Sequence, residues 1–144
     1  MLKHKTMPKL DFIHNSVKNA LIADGWKVTD DPYIIEYLKT RLYADLGAEK
    51  PIAAERGEQK IVIEVKSFLG ASKFQDLKEA LGQYDIYRYL LEETAPERKL
   101  YVAISNEAYS NFFSQEVIKL ILDKHQLPLI IVDINQEEIL KWIN

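Results

Sequence analysis

A carboxylate and a lysine interrupt the most strand-like apolar run of the sequence. Residues 61–67 read Ile-Val-Ile-Glu-Val-Lys-Ser. Because side chains alternate across a β-strand, Glu64 and Lys66 share one face, roughly 6.5–7 Å apart. Charges on the face of an apolar strand are costly to bury unless they are paired. Two alternatives follow: an ion pair on a solvated sheet face, which is the commoner case for an isolated Glu-x-Lys, or a pair of groups that do chemistry.

A second carboxylate, Asp45, lies upstream of Glu64 at the end of another short β-prone run. A meander can bring the two carboxylates to one cation, with the carbonyl of Val65 as a third oxygen. Such hard oxygen ligands suit Mg²⁺ or Mn²⁺. The cation would polarise a scissile phosphate and lower the pKa of an attacking water, while Lys66 orients that water or stabilises charge on the phosphorane. The alternative for Asp45 is a turn-forming residue before Gly47.

Gln83 and Tyr87 are four residues apart on a predicted helix, so they share a face. A Gln amide can support metal-bound water or a phosphate, and a Tyr hydroxyl can reach the backbone of a nucleic acid. These two residues are therefore candidate parts of the same catalytic site. The alternatives are a solvent-facing Gln and a core Tyr with a polar tip.

Four further polar residues are candidates with ordinary alternatives. His14, on the inner side of the first predicted helix, can contact phosphate or metal, or be a partly buried core histidine. Lys18, one turn later, can contact the DNA backbone or remain a solvated lysine. Glu49 and Glu55 are extra acids, and either can be a third metal ligand or a surface residue.

The elements that position these residues alternate between helical and extended patterns. Apolar spacing predicts helices over residues 10–24, 73–93 and 111–125. Strand-like runs cover residues 33–38, 42–46, 51–55, 60–66, 100–104 and 128–134. In the third helix, Phe113, Val117, Leu120 and Ile121 are expected on the inner side. Segment 137–143 is ambiguous between helix and edge strand. This order predicts an α/β fold with a mixed central sheet and helices on both faces.

Composition limits the class of protein. The 144 residues, 47% of them hydrophobic, predict one folded domain over residues 1–144, with 1–9 as a flexible lead. Cysteine is absent, which excludes disulfides and thiolate zinc sites. No apolar run is long enough to span a membrane, so a cytoplasmic location is expected. A net charge of −3 disfavours a protein that coats DNA by bulk electrostatics, but not one with a local basic patch or metal ions.

The candidate residues together resemble the motif set of RecB-like members of the PD-(D/E)xK superfamily. Asp45, the Glu64-Val65-Lys66 tripeptide and the Gln83/Tyr87 pair carry this likeness, with Ala44 where proline is usual. Segments 14–26, 45–50, 63–70 and 80–84 are similar to the XisH family, whose members are called excision controlling factors of the fdxN element. The resemblance implies a restriction-endonuclease-like fold, a role in programmed DNA excision and, often, a small partner protein called XisI.

Two functions of different classes fit these observations. The first is a metal-dependent endonuclease that cuts DNA with Mg²⁺ or Mn²⁺. The second is a non-catalytic accessory factor that binds DNA, a recombinase or XisI and uses the nuclease fold as a scaffold. The mildly acidic charge favours protein partners over DNA alone. The apolar, tyrosine-rich stretch 84–91 predicts a homodimer.

Overall fold

The computed structural model describes residues 13–51 and 58–144. The helices and strands follow one another along the chain as α1 (His14–Ala23), β1 (Lys27–Asp30), β2 (Tyr33–Tyr37), β3 (Thr40–Ala44), β4 (Leu46–Pro51), β5 (Glu58–Val65), α2 (Lys73–Thr94), β6 (Arg98–Ser105), α3 (Asn106–Asn111), α4 (Glu116–His125), β7 (Leu129–Asp133) and β8 (Glu138–Ile143). Within these ranges, no helix combines the length and apolar character that crossing a membrane requires.

Six strands form one mixed sheet in the order β1-β4-β5-β6-β7-β8, and β2 with β3 forms a separate hairpin. The neighbours β5-β6 and β6-β7 are parallel, and the other pairs are antiparallel. The predicted mixed α/β architecture is therefore confirmed. The ambiguous segment 137–143 contains an edge strand, because β8 pairs with β7 alone in the described part of the sheet.

Apolar residues cover both faces of β5, which lies inside the sheet. Ile61, Ile63 and Val65 pack in one cluster with residues of α1. Val62 points the other way and packs in a second cluster with residues of α2 and α4. Glu64 follows Val62 by two residues and so projects toward the α2 side. Glu64 is thus the one acid in the buried part of β5, residues 61–65, which is otherwise apolar.

Local signals place the helix that follows β5 and the end of the first helix. The side chain of Ser72 accepts a hydrogen bond from the backbone N–H of Gln75 (3.1 Å), which caps α2. Gly25 has φ +97°, a value that glycine adopts without strain, just after α1. The first helix begins at His14, later than the predicted residue 10; residues 10–12 lie outside the described range.

One predicted element was wrong, and another lies almost wholly outside the described range. Of the strand expected over 51–55, only Pro51 is described, as the last residue of β4, and residues 52–57 lie outside the described range. The helix expected over 111–125 is two helices, because the chain leaves α3 at Phe112 and restarts at Glu116. The restart changes the helical phase, so Val117 and Leu120 are exposed and Ile118 is buried.

Candidate active site

The β3–β4 corner brings Asp45 against the end of β5. Leu46 pairs with Ile63 in the antiparallel register, and continuing that register sets Asp45 opposite Glu64. The backbone N–H of Asp45 donates to Glu64 Oε1 (3.0 Å). In return, the backbone N–H of Val65 donates to Asp45 Oδ2 (2.7 Å). Each carboxylate is thus fixed by the backbone of the other strand, and the two acids meet as the sequence predicted.

Glu64 is ionised with difficulty in this position. The residue is only 5% exposed, and its burial, followed by the negative charge of Asp45, raises its pKa from 4.5 to about 8. Lys66 acts in the opposite direction, because its Nζ lies 3.7 Å from Glu64 Oε2. Without a bound cation, the Glu64 carboxyl therefore carries a proton at neutral pH.

Lys66 connects the buried Glu64 to solvent. Its backbone N–H donates to the carbonyl of Ala103 (3.0 Å), which ties the end of β5 to β6. Its side chain is 28% exposed and lines a surface cavity of about 200 Å³, together with Ser67, Asp76 and Glu79. A second cavity, of about 480 Å³, lies between α4 and β8 and is lined by none of the predicted site residues.

Gln83 and Tyr87 bind each other and the strand that leads to Asp45. The Gln83 amide donates to the Tyr87 hydroxyl (3.0 Å), which donates to the carbonyl of Tyr43 (3.1 Å). Burial is the main reason that the pKa of Tyr87 lies above its ordinary value. Because Tyr43 precedes Asp45 by two residues, this chain of hydrogen bonds holds the end of β3 on α2. The geometry gives the pair a positioning role.

His14 lies behind Asp45 rather than on the surface, since it is only 2% exposed. Its Nε2 is 2.9 Å from Asp31 Oδ1. Lys18 donates to the other oxygen of Asp31 (2.7 Å). Burial opposes ionisation of Asp31, but the hydrogen bonds from Lys18 and His14 outweigh it and hold the pKa of Asp31 below its ordinary value. His14 and Lys18, the two predicted DNA-contact residues, therefore both bind Asp31 in one hydrogen-bond network.

The second ring nitrogen of His14 faces the two acids. His14 Nδ1 is buried without a hydrogen-bond partner and lies 3.7 Å from Asp45 Oδ1. Asp31 was not among the predicted site residues. No local pattern signals its role, because the contact with His14 joins residues on separate elements.

The described ranges contain no group of three or more His, Cys, Asp or Glu side chains arranged to hold a metal ion. Of the two extra acids, Glu49 binds Arg98 (3.0 Å) and pairs with Lys60, at the opposite end of β5 from Glu64. Glu55 lies outside the described residues. The oxygen donors assembled here are therefore two carboxylates, with the Val65 carbonyl as the predicted third.

Comparisons with known proteins identify the family. The model of a family described as XisH protein matches residues 7–140. A crystal structure of an XisH family protein from Nostoc punctiforme PCC 73102 is similar with a TM-score of 0.83 at 38% identity, over 93% of this chain and 100% of that chain. A crystal structure of an fdxN element excision controlling factor protein from Anabaena variabilis is similar with a TM-score of 0.81 at 39% identity, over 92% of this chain and 98% of that chain. No curated protein matches the sequence. Because the family match spans most of its length, the chain belongs to the XisH family.

Proposed function

We propose that the chain is a divalent-metal-dependent DNA phosphodiesterase of the PD-(D/E)xK type, with a restriction-endonuclease-like fold, that acts in programmed DNA excision. One observation carries the proposal: Asp45 and Glu64 are locked together by reciprocal backbone hydrogen bonds, with Lys66 beside them. The name of the Anabaena variabilis structure, an fdxN element excision controlling factor, supports the link to excision.

The chemistry of the donor set fits a cation. Two carboxylates meet in a buried place, where their mutual repulsion is part of the reason that the pKa of Glu64 is raised. The carboxylates of Asp45 and Glu64 and the carbonyl of Val65 would hold Mg²⁺ or Mn²⁺, and the bound ion would polarise the phosphate and lower the pKa of water. The unpartnered Nδ1 of His14 faces the same place, and a nitrogen donor suits Mn²⁺ better than Mg²⁺.

Other side chains of the chain would orient water, stabilise charge and position Asp45. The Lys66 side chain lies beside Glu64 and lines the solvent cavity, where its ammonium can orient a water molecule and stabilise negative charge on the phosphoryl oxygens. Gln83 and Tyr87 hold the Tyr43 carbonyl and so fix the position from which Asp45 projects. A shift of about 1 Å in such a ligand is enough to slow a reaction strongly.

A second candidate function is a non-catalytic accessory factor that binds DNA, a recombinase or an XisI-like protein. Two observations favour it: the net charge of −3, and the finding that the described residues contain no group of three or more His, Cys, Asp or Glu side chains arranged to hold a metal ion. In that role the same residues would form a structural network, and a proton would neutralise Glu64 permanently.

Cleavage of DNA by the purified full-length chain in Mg²⁺ or Mn²⁺ tests the proposal. Substrates should include linear duplex, single-stranded and branched DNA. We expect cleavage that falls about 100-fold or more in Asp45→Asn and in Lys66→Met. Exposed residues of α2 supply matched controls, Glu93→Gln and Lys78→Met, which should cleave at the wild-type rate. Undiminished cleavage in both site variants would refute the assignment, and a metal-independent XisI-like complex without cleavage would favour the accessory role.

A further inference from the structure

The β2–β3 hairpin ends in a leucine with two unfavourable features. Leu38 is 83% exposed, and its φ of +55° lies in the left-handed region that favours glycine. The strained backbone opposes folding of an isolated monomer, and apolar surface left in water contributes almost nothing to offset that cost. Because the side chain is so exposed, packing within the monomer offsets little of this cost. Such an outlier points to a function at the hairpin tip.

The outer face of the same hairpin continues this apolar surface. Ile34 and Tyr43 are paired across the strands and are 47% and 43% exposed. We call Ile34, Leu38 and Tyr43 the hairpin face. At about 200 Å² for each large side chain, it exposes roughly 350 Å² of apolar surface. Two copies of this face with a polar rim approach the roughly 1,000 Å² that a specific interface needs.

The charges on the hairpin are self-complementary. Glu36 and Arg41 are directly opposite each other on the outer side of the hairpin, with 3.3 Å between Arg41 Nη2 and Glu36 Oε2, and both side chains are more than half exposed. Each copy thus presents one acid and one base side by side. A two-fold axis through this region lets each guanidinium meet the carboxylate of the other copy. The balanced charge favours a protein over DNA as the partner, since a protein surface that binds nucleic acid is usually basic.

We infer that a second copy of this chain docks on the hairpin face, so that the protein is a two-fold dimer joined through its β2–β3 hairpins. The inference goes beyond the proposed function and does not require catalysis. It also places the partner next to the candidate site, because β3 runs directly into Asp45 and the carbonyl of Tyr43 is held by Tyr87. The dimer carries two Asp45–Glu64 sites.

Sedimentation and light scattering on the full-length chain test the dimer. We expect a mass near twice 16.7 kDa at tens of micromolar protein. Leu38→Gly keeps the backbone conformation without strain and removes the apolar tip, so it should weaken the dimer about ten-fold or more while the thermal midpoint of the monomer does not fall. Leu120→Ala removes a leucine of α4 that is 54% exposed and should leave the dimer unchanged.

Reversing the charge of Glu36 or of Arg41 distinguishes an ion pair between two copies from an ion pair within one copy. Glu36→Arg alone and Arg41→Glu alone each give like charges across the two-fold axis, and both should be monomeric. Mixing the two variants should restore a heterodimer, which an ion pair within one chain cannot do. A wild-type mass near 16.7 kDa, a dimer insensitive to Leu38→Gly, or no heterodimer on mixing overturns the inference. Loss of DNA binding by a monomeric Leu38→Gly would assign the face to nucleic acid instead.

Discussion

Replacing Glu64 by glutamine should stabilise the metal-free protein, and more so as the pH rises. The Glu64 carboxyl is only 6% exposed, and its pKa is raised from 4.5 to about 8 by burial and by Asp45. Between these two values the folded chain binds more protons than the unfolded chain. The free energy of unfolding therefore falls as the pH rises, from its full value below pH 4.5 to its lowest value above pH 8.

The size of this effect follows from the two pKa values. At about 1.4 kcal/mol for each pH unit, the wild-type chain loses at most about 4 kcal/mol between pH 5 and pH 9, and structural relaxation reduces that figure. Glutamine keeps an oxygen that can accept from the Asp45 N–H but cannot ionise. The difference in free energy of unfolding between Glu64→Gln and wild type should therefore grow in favour of the variant by up to about 4 kcal/mol across this range.

Urea denaturation in chelator at pH 5, 7 and 9 measures this difference. Glu93→Gln, on the exposed side of α2, is the matched control and should differ from wild type by the same small amount at each pH. A Glu64→Gln difference that stays constant within about 0.5 kcal/mol from pH 5 to 9 would show that the carboxyl is not held protonated by its surroundings.

Three other predictions concern the same site. Because Glu64 is mostly protonated at pH 7, Mn²⁺ binding should release close to one proton there and tighten about ten-fold by pH 9, as calorimetry in buffers of different ionisation enthalpy can measure. Asp31→Asn should weaken Mn²⁺ binding about ten-fold or more, because Asp31 orients His14; equal affinity in calorimetry would exclude that role. Tyr87→Phe leaves the Tyr43 carbonyl without its donor and Gln83 without its acceptor, and should lower the free energy of unfolding by about 1–2 kcal/mol in urea.

The strand and helix that carry the site could be predicted from local sequence. A continuous apolar run indicates β5, since both of its faces are buried. Ser72 marks the start of α2 through its side-chain cap. The meeting of Asp45 with Glu64 also followed from sequence, because a meander between two short strands returns the chain antiparallel to itself. These signals lie within single elements or between consecutive strands.

Features that depend on packing between distant elements could not be predicted in the same way. The bond between His14 and Asp31 exists because α1 lies beside the turn after β1, and neither segment alone encodes that orientation. The prediction of which face of α4 is buried was wrong for a related reason. Tight packing of Phe112 and Phe113 against Phe68 interrupts the helix, and Ile118 rather than Val117 then meets the core.

The two proposed functions share one geometry and differ in what neutralises the negative charge of Glu64. With a proton on Glu64, the charges of Asp45 and Lys66 cancel, and the network is electrically balanced without a metal. In a protein that used these residues only as structure, the balanced charges would stabilise the fold, and Glu64 would not need to lose its proton. A nuclease must exchange it, because a protonated carboxyl is a poor metal ligand. The proton released on Mn²⁺ binding therefore separates the two functions even before any DNA is cut.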